Sequence, residues 1–175
     1  MKTKIDTNRA GGVILTHPWE CVFDENAKIL ILGSFPSPKS REEGFYYGHP
    51  QNIFWQTLAR VVGVDEPKSD RSSKTDFLLQ NRIALWDVLH SCRISGADDN
   101  TITNPVPNDF SDILRPLKIR AVFTTGKKAT ELFQKLCAAK TGFDAIYLPS
   151  TSPANRAQQK SEKFLARWLK IREFL

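Results

Sequence analysis

Four short apolar runs punctuate the chain: Lys28-Ile-Leu-Ile-Leu32, Ile83-Ala-Leu-Trp-Asp-Val-Leu89, Ala121-Val-Phe-Thr-Thr125 and Ala145-Ile-Tyr-Leu148. Each has the length of a strand. The first is continuously apolar rather than alternating, which predicts burial on both faces, as in a parallel sheet. Between them the period changes. Phe54, Leu58 and Val61 recur at helical spacing over Ile53 to Val62, and Gly63 supplies a C-terminal stop. Further helices are expected from a Thr75 cap through Asn81, from an Asn108 cap over Asp109 to about Pro116, over Lys127 to Ala139, and over the amphipathic Ala157 to Leu175. Lys68 to Lys74 is polar and reads as a mobile loop. Ser91 to Asn108 reads as a long surface loop, of a length that is usually functional or disordered.

Alternating strands and helices predict an α/β fold, its sheet parallel and covered on both faces. Ligands of such folds sit at the carboxyl ends of the strands. Here those ends are Gly33-Ser-Phe-Pro-Ser37, the segment after Leu89, Thr125-Gly126 and Pro149 to Arg156. The first run continues into Gly44-Phe-Tyr-Tyr-Gly-His-Pro-Gln-Asn-Ile-Phe-Trp55, whose density of aromatic and polar residues exceeds what a connection requires. It reads as the wall of a site.

Composition narrows the setting. At 175 residues the chain fits one domain over 13–175, preceded by a loose tail over 1–12. Val13 to Trp19, broken by Pro18, is expected to cover the core. No apolar run approaches the roughly 20 residues of a membrane span, and the first ten residues hold no secretory apolar segment, so a cytoplasmic location is expected. Cys21, Cys92 and Cys137 are too widely spaced for a disulfide framework or a zinc or iron–sulfur set, and read as inert thiols. No metal site is expected. The net charge of +6 and pI near 9.3 favour a polyanionic partner.

Familiar catalytic motifs are missing. Gly126-Lys127-Lys128 lacks the first glycine and the hydroxyl of a phosphate loop. Gly33-Ser-Phe-Pro-Ser37 is not a nucleophile elbow, which needs G-x-S-x-G. A hydrolase pairing His49 with Ser34 or Ser150 has no positive support in spacing, and paired carboxylates are not evident on either loop.

Three stretches together carry a resemblance: Gly33-Ser-Phe-Pro-Ser37, Phe45-Tyr-Tyr-Gly-His-Pro-Gln-Asn-Ile-Phe-Trp55 and Ser150-Thr-Ser-Pro-Ala-Asn-Arg156. They resemble the uracil-DNA glycosylase superfamily, and within it the hypoxanthine (deoxyinosine) DNA glycosylase branch, over nearly the whole chain from His17. The resemblance implies a three-layer α/β/α sandwich with a central, mainly parallel four-stranded sheet. It also implies a monomeric, monofunctional enzyme that flips a damaged base out of DNA and cleaves its glycosidic bond without a cofactor. Damaged DNA is then the partner, and no membrane is involved.

Residue by residue, the resemblance implies that Gly33, Ser34, Phe35, Pro36 and Ser37 contact the flipped base. Phe35 stands where other members carry a water-positioning amide, so that role passes to Asn52. Tyr47 stands where the base is stacked, Ser150 and Ser152 border the base, and His49 reads equally as a substrate contact or as a hydrogen-bond partner of a loop carbonyl. Pro153, Ala154, Asn155 and Arg156 belong to the loop that enters the minor groove, with Lys160 beyond it against phosphate. That loop holds no His, unlike the uracil-specific branch, which argues against strong uracil activity. Asn52 directly precedes a helix and serves equally as its N-cap. Tyr46, Phe54 and Trp55 read as core, and the Lys160, Lys163, Arg167, Lys170 stripe as a solvated face with phosphate contact as the alternative. A mismatch-type uracil glycosylase, a non-catalytic binder of damaged DNA and an unrelated small-molecule hydrolase are the competing functions.

Overall fold

Along the first apolar strand, alternate side chains point to opposite faces and both faces are dry. A computed structural model of the chain describes residues 13–175; the expected tail, residues 1–12, lies outside them. In chain order the elements are β1 (Ile14–Thr16), β2 (Ile29–Gly33), α1 (Pro38–Glu43), α2 (Phe54–Val62), α3 (Arg71–Gln80), β3 (Ile83–Asp87), β4 (Leu89–Ser95) and β5 (Asp98–Pro107). After these come α4 (Ser111–Leu114), β6 (Ala121–Thr125), α5 (Lys127–Leu136), α6 (Ala138–Thr141) and β7 (Ala145–Leu148). A 3₁₀ turn (Pro153–Asn155), α7 (Arg156–Gln159), α8 (Glu162–Leu169) and a second 3₁₀ turn (Lys170–Glu173) finish the chain.

Strands β3-β2-β6-β7 form a four-stranded sheet, parallel throughout, with Ile29 opposite Ile83 on one side and Ala121 on the other. Ile29 and Ile31 pack with Phe54, Leu58, Phe77, Leu78, Phe164 and Trp168 of α2, α3 and α8. Leu30 and Leu32 pack with Phe110, Ile113, Leu132 and Phe133 on the opposite face. Helices thus cover the two faces of one sheet, and a single run of four apolar residues serves both cores. The three-layer α/β/α arrangement follows from that burial.

Several expectations needed correction. The Ser91–Asn108 stretch is no loop: β4 and β5 form an antiparallel hairpin, and β1 adds to β4 in a second, three-stranded sheet. Accordingly the second apolar run stops as a parallel strand at Asp87, and Leu89 already pairs with Pro107 across the hairpin. Lys68–Lys74 is not all loop either. Helix α3 begins at Arg71, capped by Asp70, whose Oδ1 accepts from Ser73 N at 2.8 Å, four residues and more before Thr75. Asn108 caps nothing; its buried Nδ2 donates to Asp87 O at 2.9 Å, while Asp109 Oδ1 accepts from Ser111 N at 3.0 Å. The long terminal helix is divided at Ser161, where the backbone is extended. The helix from Lys127 is divided at Cys137.

Candidate active site

The strand order turns back at β2, so the carboxyl ends of β2 and β6 stand side by side with chains leaving in opposite directions, the usual place for a ligand crevice. A cavity of about 310 Å³ opens there. Gly33 and Thr125 form its floor, and the loops after β2 and β7 its sides.

The loop after β2 is built by local hydrogen bonds. Ser37 caps α1 by accepting from Ser40 N at 3.2 Å, and Arg41 Nη1 donates to Pro36 O at 3.3 Å. Phe35 is buried at 6% exposure, edge-on to His17 at 5.9 Å, with Arg41 over its ring. Ser34, Phe35, Pro36 and Ser37 all line the cavity.

Tyr47 stacks on Phe54 with ring centroids 3.8 Å apart and planes 5° from parallel, while its hydroxyl shares a 2.8 Å hydrogen bond with Thr125 Oγ1. One ring face is therefore backed by the core, and the ring lines the cavity. Its φ of +51° puts a bulky residue in the left-handed region, a strained conformation that persists only when surroundings hold it and that clusters at functional sites. Burial pushes its phenol above the ordinary value, Asp87 adding to the rise and the Thr125 bond opposing it.

Asn52 and His49 line the same wall. Asn52 Oδ1 accepts from Phe54 N at 3.0 Å, so the residue does finish the helix start, although Ile53 occupies the cap position. Nδ2 keeps both protons free of protein partners among the described residues, and Oδ1 keeps a second lone pair. His49 Nδ1 accepts from Gln51 N at 3.0 Å, which leaves Nε2 for another partner.

The loop after β7 is tied down from behind. Trp168 Nε1 donates to Pro149 O at 3.0 Å, Gln159 Nε2 to Ser152 O at 2.8 Å, and Ile53 N to Thr151 O at 3.2 Å. Ser150 Oγ accepts from Ser152 N, and Ser152 Oγ from Ala154 N, so both hydroxyls shape the turn. Ser150, Ser152 and Pro153 reach the cavity. Ala154 and Arg156 are exposed and Asn155 half-buried, on the outer side of the same loop. Lys160 is not brought to this cavity; it borders a separate groove between α2 and α8. Arg167 lies over the Tyr147 ring at 5.6 Å.

Two carboxylates at the cavity were not anticipated. Asp87, at the end of β3, is 4% exposed, with Oδ2 2.8 Å from His17 Nε2. Its one signal in the sequence was an acidic residue closing an apolar strand at the carboxyl edge. Asp99 arrives on the hairpin, and the Ser34 hydroxyl donates to its Oδ2. Burial pushes the Asp99 carboxyl above the usual carboxylate range, Ser34 pulling it back and Asp87 adding to the rise.

Known proteins resemble the chain over most of its length. The sequence model of the Uracil DNA glycosylase superfamily matches residues 21–175. The chain is 38% identical over 144 residues to a hypoxanthine DNA glycosylase of Methanosarcina barkeri, an alignment covering 81% of this chain and 89% of that one. It is 37% identical over 143 residues to the hypoxanthine DNA glycosylase of Methanosarcina acetivorans, with the same coverage. A solution NMR structure of a Methanosarcina acetivorans protein assigned to the uracil DNA glycosylases superposes with a TM-score of 0.74 at 34% identity, covering 91% of this chain and 96% of that one. A family model matching residues 21–175 and relatives 37–38% identical over most of their length place the protein by descent: the chain belongs to the uracil DNA glycosylase superfamily.

Proposed function

We propose that the protein is a monofunctional glycosylase that excises hypoxanthine from deoxyinosine in DNA, with water attacking the glycosidic carbon of a flipped nucleotide. The observation that carries this reading is the cavity at the carboxyl ends of β2 and β6, bordered by a Phe54-backed aromatic and by an amide with free N–H groups. The choice of hypoxanthine is supported by the name of the two relatives, hypoxanthine DNA glycosylase.

In this reaction the base departs as an anion and the sugar becomes oxocarbenium-like. Tyr47 is the platform against which the base lies, a contact worth about 1–3 kcal/mol per base. Gly33 to Ser37, His49, Ser150 and Ser152 enclose it. Asn52 acts without a change of charge: Nδ2 donates to the departing base, or its remaining lone pair on Oδ1 accepts from the attacking water. Pro153 to Arg156 fill the space vacated in the duplex, and Lys160 meets phosphate outside the cavity. The enzyme works as a monomer, and the cytoplasm is its expected place.

The test is a single-turnover panel of duplexes carrying deoxyinosine, deoxyuridine or no lesion, scored for alkali-labile abasic sites. Deoxyinosine is cleaved fastest, and the strand breaks only after alkali. Asn52→Ala loses about 10²–10³ in rate, the usual cost of a preorganised donor. Asn52→Asp keeps the oxygen for Phe54 N and so the stability; loss of rate in it assigns the role to the N–H groups, and retained rate assigns it to the oxygen that meets water. Undiminished release by Asn52→Ala refutes that assignment. Preference for uracil in mismatches favours the other glycosylase reading, and binding without release at any enzyme excess favours a damage-binding protein.

A further inference from the structure

We propose that Asp99 is the base of the reaction: its Oδ1 holds the attacking water and takes the water's proton as the bond from oxygen to C1′ forms. This rests on the glycosylase reading above. Asp99 reaches the site from outside the parallel sheet, near the tip of the β4–β5 hairpin, where Ser95 pairs with Asp98 and Gly96 makes the turn. Its neighbours serve the turn itself. Asp98 Oδ1 accepts from Asn100 N at 3.0 Å, and Thr101 Oγ1 donates to Asp98 O at 2.6 Å. Asp98 and Asn100 are exposed, whereas Asp99 points the other way, as successive strand residues do, and lines the cavity.

One oxygen of this carboxylate is occupied and the other is free. The Ser34 hydroxyl, at the carboxyl end of β2, donates to Oδ2 and so fixes how the group is turned. Ser34 is itself buried, which shelters that clamp from solvent. Oδ1 takes no protein hydrogen bond among the described residues. Holding a carboxylate out of bulk water with one oxygen unpaired is costly, and the hydrogen bonds of the hairpin do not require it. A group placed this way calls for a donor that arrives in the cavity.

The attacking water is such a donor. The C1′–N bond breaks with its electron pair leaving on the base; the water oxygen bonds to C1′, its proton passes to Asp99 Oδ1, and the anionic base is protonated from solvent. Burial raises the Asp99 carboxyl above the usual range, Ser34 lowers it, the Asp87 and Asp98 carboxylates raise it further and Lys128 lowers it. A raised carboxyl is the better proton acceptor. Two other groups at the cavity are worse placed. His49 has Nε2 free, but an imidazole that takes the proton becomes a cation beside a cationic sugar, whereas a carboxylate becomes neutral. Asp87 lies on the floor by Gly33 and the Tyr47 hydroxyl, where a base stacked on that ring covers it. With the water held by Asp99, the Asn52 N–H groups are left for the departing base.

The test compares the full wild-type chain with Asp99→Asn, whose amide oxygen still accepts from Ser34. Three quantities are read: single-turnover base release from a deoxyinosine duplex, affinity for the same duplex carrying a cleavage-resistant 2′-fluoroarabino hypoxanthine nucleotide, and Tm at neutral pH. Loss of a general base lowers the rate by about 10²–10⁴. Affinity stays within about threefold, because the base acts only as the bond to C1′ forms. Tm is unchanged or higher, since a costly carboxylate has gone. A residue that only held the hairpin would lower Tm and affinity along with the rate, and that pattern overturns the proposal. So does base release by Asp99→Asn within about threefold of wild type; a large loss in His49→Gln alongside it passes the role to His49. Base release by the wild type with no effect of Asp99→Asn sinks Asp99 alone. No release by the wild type from any lesion duplex removes the reaction, and overturns the glycosylase reading together with this one.

Discussion

Gly33→Ala tests how tightly the floor of the site is built. The added methyl overlaps Asp87 Oδ1 and stands 3.0 Å from Tyr47 Oη. Neither neighbour can easily yield, because His17 holds the carboxylate and Thr125 the phenol, each at 2.8 Å. Backbone strain is not the issue, since Gly33 is a paired strand residue without positive φ. Overpacking of this kind costs about 1–3 kcal/mol. For a chain of this size that is a fall in Tm of roughly 2–12 °C. Denaturant melts of Gly33→Ala, Asp87→Ala and the double variant isolate the cause. If the clash with the carboxylate dominates, removing the carboxylate makes room, and the double variant is more stable than the sum of singles by about 1 kcal/mol or more. Additivity within about 0.5 kcal/mol refutes the reasoning, because Gly33 and Asp87 would then not share that space.

Tyr47→Phe keeps the stack on Phe54 and forfeits only the Thr125 bond, so lesion binding stays within about threefold while stability falls by about 0.5–1.5 kcal/mol. Tyr47→Ala removes the platform and weakens binding roughly 5- to 150-fold, measured by anisotropy on a cleavage-resistant duplex; equal losses in the two variants would sink the stacking role. Asp99→Asn keeps an acceptor for Ser34 but removes a carboxyl whose folded pKa is raised. A raised carboxyl contributes stability that is full below its unfolded pKa and is lost as pH rises through the folded value. The variant's Tm therefore exceeds the wild type's at neutral pH and the gap closes towards about pH 4; a gap that widens on acidification contradicts the sign.

Much of the parallel sheet was legible because one physical demand, dryness on both faces, leaves a mark in four consecutive residues. The same holds for α2, whose inward face and glycine stop are local. The hairpin was not legible for the opposite reason. Its β5 strand is mostly exposed and carries Pro105 and Pro107, which argue against a strand. Both prolines are tolerable because β5 is the free edge in the order β1-β4-β5 among the described residues, where a missing N–H faces no partner. Gly96, at φ +58°, makes the turn. The start of α3 was a misreading of a present signal: Asp70 with Ser73 is a sound cap, whereas Thr75 sits a full turn inside the helix. At the candidate site, the resemblance named the two loops that border the cavity. Asp87 and Asp99 come from β3 and from the misread hairpin, and pairing across that distance is a property of topology that no window of sequence contains.

The two carboxylates also bear on the role proposed for the neutral Asn52. On the proposed reaction, positive charge grows on the sugar and negative charge on the base. Carboxylates in the cavity favour the first and oppose the second. Each is partly quenched by the protein, Asp87 by the His17 contact and Asp99 by the Ser34 hydroxyl. What the departing base still lacks is a donor that does not raise its own charge or depend on a tuned pKa. An amide whose oxygen is occupied by the Phe54 N–H supplies that, since the occupied oxygen fixes which way the N–H groups turn. On that proposal the cap at the start of α2 and the chemistry at the base are one arrangement rather than competing explanations of the same residue: the helix would orient the amide, and the amide would meet the charge that the carboxylates cannot.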